Sequence, residues 1–321
     1  LKNVTVKGSG YAYIRNSDNI LVQESDFRES ANRLMVMSSE DVLIQNSTFF
    51  GGLMTPYSDG VTVENSNLSY IHLYDSDWVT IKNSRIGNST SYNSQALQLG
   101  STINTQIHAT TIYGSNSAIS SEVSNSFGGN DIKVFNSTLS SGSSSYSRDI
   151  RLWNSWSSTL VDKVELYNTT FSSANISRYS ELWVSNYLDI KVISQDNQTL
   201  SGVDVQILDN GTAIYATSGY GGSDSKTDSN GMISKLFVVD RIYDGSDTAT
   251  ENVTLVKVKK LGVSATRNVN MSTSHTETIT FIVPYVVDVN GNGDYTTIQA
   301  AIDNATAGKT IKVWAGTYNE D

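Results

Sequence analysis

One eight-residue pattern, apolar-x-apolar-x-Asn-Ser-x-apolar, recurs through the first half of the chain with starts at positions 4, 20, 42, 61, 79, 105, 132 and 164. The clearest copies are Val42 to Phe49, Val61 to Leu68 and Val79 to Ile86. The third column holds Val6, Val22, Ile44, Val63, Ile81, Ile107, Val134 and Leu166, and the eighth holds Tyr11, Phe27, Phe49, Leu68, Ile86, Ile112, Leu139 and Phe171. The sixth column carries a hydroxyl in every copy, from Ser9 to Thr169, and the fifth is Asn except at Gly8, Glu24 and Ala109. Period-two alternation is the signature of a strand with one buried face. A single such strand cannot bury that face, whereas coils stacked about 4.8 Å apart form one continuous core.

Alternation places the fifth residue on the inward face. The expectation is therefore a structural ladder of inward Asn side chains, Asn46, Asn65, Asn83, Asn136 and Asn168, each amide donating to and accepting from the next. Ser, Thr and Asn make up about a third of the 321 residues, yet apolar residues and 17 Tyr run through them at short intervals, so the chain is expected to be ordered and β-rich. The longer intervals after position 86 are expected to be loops thrown out from a corner.

These columns resemble those of right-handed parallel β-helix repeat proteins, the architecture of pectate-lyase-like and NosD-type surface proteins, over roughly residues 1–186. From Tyr187 the pattern changes to longer alternating strands and hairpin turns. Examples are Leu188 to Val192 and Val203 to Leu208, the latter leading into Asn210-Gly211. Residues 187–284 are similar to immunoglobulin-like, carboxypeptidase-regulatory-type spacers, which implies a β-sandwich without catalytic residues of its own.

Residues 285–321 read as a short amphipathic helix followed by a strand. Ile298, Ala301, Ile302 and Ala305 share a face, Thr296 with Gln299 forms a capping box, and Gly308 can end the helix. Ile311, Val313 and Tyr318 then match the apolar columns of the repeat. This segment looks like the cap with which β-helix proteins of the pectin-esterase and NosD kinds begin. The expected fold is all-β: a right-handed parallel β-helix, an immunoglobulin-like β-sandwich, and a C-terminal helix-plus-strand cap.

A cap at the tail and an uncapped opening rung suggest that Ile298, Ile302, Ile311, Val313 and Tyr318 complete the coil at Leu1, Val4 and Val6 of another copy, head to tail. Continuation in a covalent tandem repeat and self-capping within one chain are the competing arrangements. The leading expectation is a structural, extracellular, cell-surface protein without enzymatic activity, assembling into a filament, sheath or layer. The alternative is a carbohydrate-binding adhesin or a polysaccharide lyase-like enzyme.

Composition narrows the partners. A formal net charge of −10 argues against nucleic acid, the absence of Cys removes thiolate chemistry, and three His leave little for a zinc site. No catalytic residue, metal or cofactor is expected, and the longest apolar run, Phe281 to Val287, is too short to span a bilayer. The acidic residues Asp18, Asp41, Asp59 and Asp77 fall in turns before coil strands, and the Asp288 loop lacks the closing Glu of a calcium loop, so both are expected to be structural. Of the Asn-x-Ser/Thr acceptors, Asn88, Asn175, Asn197, Asn210, Asn252 and Asn270 are the expected glycosylation candidates. Exposed aromatics such as Trp153, Trp156, Trp183, Tyr187, Tyr215 and Tyr220 are candidates for stacking on surface glycans.

Overall fold

The computed structural model describes residues 5–6, 10–27, 33–87, 95–123, 129–154 and 161–320. It divides into two compact units. The first comprises residues 1–186 and 239–251, the second residues 187–238 and 252–321.

The first unit is a parallel β-helix. Its chain visits three parallel sheets in turn and returns one coil further on. In the third coil Leu53–Pro56 lies in sheet one, Thr62–Glu64 in sheet two and Asn67–Leu68 in sheet three, before Ile71–Tyr74 re-enters sheet one beside Leu53–Pro56. The registers stack the repeat columns as single files. Val22, Ile44, Val63, Ile81, Ile107, Val134, Leu166 and Val184 pair in succession along sheet two. Phe27, Phe49, Leu68, Ile86, Ile112 and Leu139 do so along sheet three. All of these are buried in one core, in which the Phe27 and Phe49 rings stack at 4.5 Å.

Two expectations about this repeat are corrected. The segment starting at Val4 is not a copy in the proposed register: Val6 pairs with Phe27 in sheet three, so it belongs to the eighth column and not the third. Tyr11 lies in sheet one and is exposed. Leu1 and Val4 fall outside the described residues. The fifth-column Asn side chains also do not face inward. Asn46, Asn65, Asn83, Asn136 and Asn168 all take left-handed backbone angles, φ 48° to 50°, and all but the half-buried Asn168 are exposed. Glu24 and Ala109 adopt the same angle in their coils. A left-handed residue breaks the alternation at the corner between sheets two and three, so the following hydroxyl faces inward. Asn is favoured there because its short polar side chain tolerates positive φ at low cost.

The ladder inside that corner is therefore built of hydroxyls. The backbone N–H of Ser25 donates to Ser47 Oγ at 3.1 Å, Ser47 N–H to Ser66 Oγ at 3.1 Å, and Ser66 N–H to Ser84 Oγ at 3.2 Å. Further along, Thr110 N–H reaches Ser137 Oγ at 3.1 Å and Ser137 N–H reaches Thr169 Oγ1 at 3.3 Å. Each hydroxyl donates in turn to the carbonyl two residues back, as Ser66 does to Glu64 at 2.8 Å. The corner between sheets one and two repeats the device with left-handed Asn16, Ser38, Tyr57 and Asp75 followed by inward Ser17, Ser39, Ser58 and Ser76. That file continues through Thr102 and Asn130 to the buried carboxylate of Asp162.

The segment Val239–Glu251, which sequence pattern places in the spacer, belongs to the first unit. Here the end of the strand Met232–Tyr243 and the strand Ala249–Glu251 form an antiparallel hairpin. Tyr243 packs on the core beside Phe171, and Asp247 accepts the Ile176 N–H at 2.8 Å. The hairpin thus supplies partners for the last coil, whose apolar side chains would otherwise meet water.

In the second unit, Thr212–Ala216, Asp204–Asp209, Thr254–Lys260 and Val263–Val269 form a four-stranded antiparallel sheet in that order. Leu188–Ser194 pairs in parallel with His275–Phe281. Leu188, Ile190, Val192, Val205, Ile207, Val256, Val258 and Phe281 share one core. At the C-terminal end Tyr285–Val287 and Ile311–Val313 form a two-stranded parallel sheet joined through the helix Ile298–Asp303. The helix is capped by Thr297, not Thr296: Thr297 Oγ1 accepts the Ala300 N–H at 3.3 Å, and the Glu320 carboxylate accepts those of Ile298 and Gln299. Its C-cap is Asn304, so Gly308 lies beyond the helix end. No helix among the described residues is long and apolar enough to cross a membrane.

Candidate functional site

The left-handed corner that turns the hydroxyls inward also sets the Asn side chains outward, one per coil. Beside them, the sheet-three strands present Thr48, Asn67 and Arg85 to solvent in register. The two files bound an open groove of ≈ 740 Å³, lined by Asn46, Asn65, Asn83 and Ala109 on one side and Thr48, Asn67 and Arg85 on the other, with Ser47, Ser66 and Ser84 between. Nine of the ten lining residues carry polar side chains, Ala109 being the exception, while their carbon atoms leave a substantial apolar share of the surface. The Ser hydroxyls are committed to the ladder, so the groups available to a ligand are amides, the Thr hydroxyl and the Arg85 guanidinium.

On the sheet-two side, the residues immediately before the Asn file project outward. Glu64 and Lys82 form an ion pair at 2.7 Å. Next come the stacked rings of His108, Phe135 and Tyr167, with centroids 4.6 and 4.7 Å apart and nearly parallel planes. Stacking along the rod turns the shared ring faces toward each other, so this ladder braces the wall and offers mainly ring edges to solvent. Burial, assisted by Lys82, holds the His108 imidazole below its ordinary pKa, which favours the neutral ring in the stack.

Sequence had singled out other groups, which the structure distributes elsewhere. Trp183 donates to Glu181 and lies under Lys163. Tyr187 packs against Phe237, and Tyr220 lies beneath Lys259. Tyr215 donates to the Ser225 carbonyl, Trp153 is exposed, and Trp156 lies outside the described residues. Asp59 and Asp77 align at the corner between sheets one and two, where Asp59 accepts the Asp77 N–H at 2.9 Å and Asp77 accepts that of Ile103 at 3.0 Å. Desolvation, with Asp59 and Asp75 adding repulsion, raises the Asp77 pKa against the Ile103 hydrogen bond. Asp288 closes its own turn by accepting from Asn290 and Asn292, which holds its carboxyl below the usual range. Among the described residues no group of three or more His, Asp or Glu is placed to hold a metal.

Of the residues expected to form an assembly interface, Val6 falls in the first unit, while Ile298, Ile302, Ile311, Val313 and Tyr318 fall in the second. Tyr318 donates to the Val287 carbonyl at 3.0 Å, so it locks the C-terminal strands of its own chain. Among the glycosylation candidates, Asn175 lies in the strand Ala174–Arg178, and Asn88 lies outside the described residues.

No protein-family model and no curated protein matches the chain. A solved structure that matches is a tailspike protein, gp49, from Acinetobacter baumannii bacteriophage Fri1, described as a capsular polysaccharide depolymerase. Identity is 9%, the TM-score is 0.21, and the match covers 79% of this chain and 62% of the tailspike, so the chain spans about three fifths of that protein's length. A likeness this loose carries no activity over to the present chain. The expectation that the chain is not an enzyme does not stand beside a matched structure described as a depolymerase, because fold and repeat pattern leave activity open.

Proposed function

We propose that the chain is an extracellular carbohydrate-directed protein that holds a polysaccharide along the groove between sheets two and three. The observation that carries this reading is the repetition of the lining: Asn46, Asn65 and Asn83 face Thr48, Asn67 and Arg85 at the spacing of the coils. Each Asn amide offers donors and an acceptor, and the coil rise of about 4.8 Å is comparable to the length of a sugar unit in an extended glycan. A polymer of repeating hydroxyl-rich units can therefore meet the same Asn amide on three successive coils, with a different polar partner, Thr48, Asn67 or Arg85, opposite each. The hydroxyl ladder beneath holds those groups in place, which lowers the ordering cost of binding.

This reading stands ahead of a filament or layer because the groove is a feature of one chain, whereas head-to-tail joining rests on sequence pattern alone. The second unit is read as an immunoglobulin-like spacer, supported by its antiparallel sheet and single core. The test is binding of the purified chain to a panel of neutral and acidic polysaccharides, compared with Asn67→Ala, Arg85→Ala and the control Gln98→Ala on the outer face of sheet one. Groove variants are expected to weaken binding at least several-fold and the control to leave it unchanged. Failure to bind any glycan, or binding indifferent to both groove variants, overturns the proposal. Release of new chain ends in the same incubations would add cleavage to binding.

A further inference from the structure

Twelve Asn-x-Ser/Thr sequences are present, and the fold treats them very differently. Those within the coils are held by neighbouring turns on both sides. The Asn46 N–H donates to the Glu64 carbonyl at 3.1 Å and the Thr48 N–H to that of Ser25 at 2.9 Å, and the Asn136 and Thr138 amides are tied in the same way to Tyr167 and Thr110. The acceptor hydroxyl that goes with Asn67, on Ser69, is buried and donates to the Phe50 carbonyl. Elsewhere the amide nitrogen is already engaged: Asn175 donates to Asp247, Asn252 to Asp209 at 2.9 Å, Asn168 to Asn136 at 2.8 Å and Asn304 to the Ala300 carbonyl at 2.8 Å. Asn270 is followed by Met271, which is anchored in the core of the second unit.

Asn197 and Asn210 differ from all of these. Both are exposed, both sit at turns with φ of 60° and 47°, and neither amide nitrogen makes a hydrogen bond in the structure. Asn197 lies in a turn in which its N–H donates to the Ser194 carbonyl, and its acceptor hydroxyl, on exposed Thr199, makes only a long 3.5 Å bond to the Ser229 carbonyl, unlike the short buried one of Ser69. Asn210 opens the Asn-Gly turn between Asp204–Asp209 and Thr212–Ala216, tethered by one bond to the Val253 carbonyl. A transferase must wrap the three-residue acceptor and reach the amide nitrogen, which a turn tip permits and a stacked coil does not.

We propose that, of the acceptors among the described residues, Asn197 and Asn210 are the N-glycan attachment sites of the folded chain. In the reaction Nδ2 bonds to the anomeric carbon of a glycosyl donor carried on a lipid pyrophosphate. The bond from that carbon to the pyrophosphate oxygen breaks, the pyrophosphate leaves with the electron pair, and one Nδ2 proton passes to a base on the transferase. The inference rests on residues of the second unit and is independent of the groove.

The experiment incubates the folded full-length chain with an oligosaccharyltransferase that recognises Asn-x-Ser/Thr and its lipid-linked donor. Intact mass and glycopeptide mapping are then applied, with heat-unfolded chain in parallel. The expected result is a glycan at each of these two positions on the folded chain, one lost in Asn197→Gln, one in Asn210→Gln and both in the double variant, with further sites among the described residues modified only after unfolding. No addition to the folded chain overturns the proposal, whatever the unfolded chain does. Modification of Asn168, Asn175 or Asn252 at equal or higher occupancy overturns it as well.

Discussion

The backbone N–H of Ser66 donates to the side-chain oxygen of Ser84 one coil away, at 3.2 Å, while Ser84 Oγ donates to the Lys82 carbonyl at 2.8 Å. Each hydroxyl thus joins two coils and adds a second donor to a carbonyl that already accepts a backbone N–H from the neighbouring coil, as Lys82 does from Asn65 at 3.2 Å. A buried N–H without such a partner costs the full desolvation of the group.

Removing one rung should therefore be expensive. Ser66→Ala leaves the Ser47 N–H without the Ser66 hydroxyl, while the Glu64 carbonyl keeps the Asn46 N–H, and is expected to lower stability by about 1–3 kcal/mol through that one buried donor. Ser66→Thr keeps the hydroxyl, and Thr110 and Thr169 already occupy that file, so its cost should be much smaller. Thermal unfolding of both variants checks this; equal losses would remove the ladder as the cause.

Ala109 holds φ 46° without a side chain suited to it. Left-handed geometry costs an ordinary residue about 1–2 kcal/mol and Asn less. Ala109→Asn is expected to stabilise the first unit by up to about 1 kcal/mol, and Asn65→Ala to destabilise it by a similar amount, read as opposite shifts in urea midpoint.

Asp162 is fully buried and accepts from Ser121 Oγ at 2.7 Å and from the Asn130 N–H at 3.0 Å. Burial pushes its carboxyl pKa up, against the hydrogen bonds from Ser121 and Asn130. A raised folded pKa means that the native state binds the proton more tightly than the unfolded chain. The associated stability is full below the unfolded value of about 4 and is lost as pH rises through the folded one. Asp162→Asn keeps acceptor geometry toward Asn130 and carries no charge. It should flatten the fall in unfolding temperature between acidic and neutral pH, and an unchanged pH slope would contradict the assignment.

Gly245 meets the last coil so closely that a Cβ built there would lie 1.4 Å from the Arg178 carbonyl oxygen. The Arg178 N–H also donates to the Gly245 carbonyl at 2.9 Å. Gly245→Ala is expected to displace the hairpin and raise hydrogen exchange at Ile176 and Arg178 several-fold, with the central coils unchanged. Unaltered exchange at both amides would show that the hairpin does not cap the rod.

Much of this architecture is determined by the sequence alone. An inward aliphatic at the third position, a hydroxyl at the sixth and an apolar residue at the eighth specify a stacked coil, because only stacking buries a file of side chains that no isolated strand can cover. Val42 to Phe49 and its sister copies carry that information locally. The direction of Asn65 does not follow from alternation, because a single left-handed residue resets the period and φ is a property of the closed corner. The groove had no signal apart from that corner: its Asn, Thr and Arg residues lie on neighbouring coils and meet only through the register. The capping hairpin was equally hidden, since Tyr243 and Asp247 stand about seventy residues from Phe171 and Ile176. Their role depends on the exposed end of a core that exists only once the coils have stacked. Local periodicity decides which strands form, whereas contacts across coils and between distant segments are decided by burial and hydrogen bonding in the assembled fold.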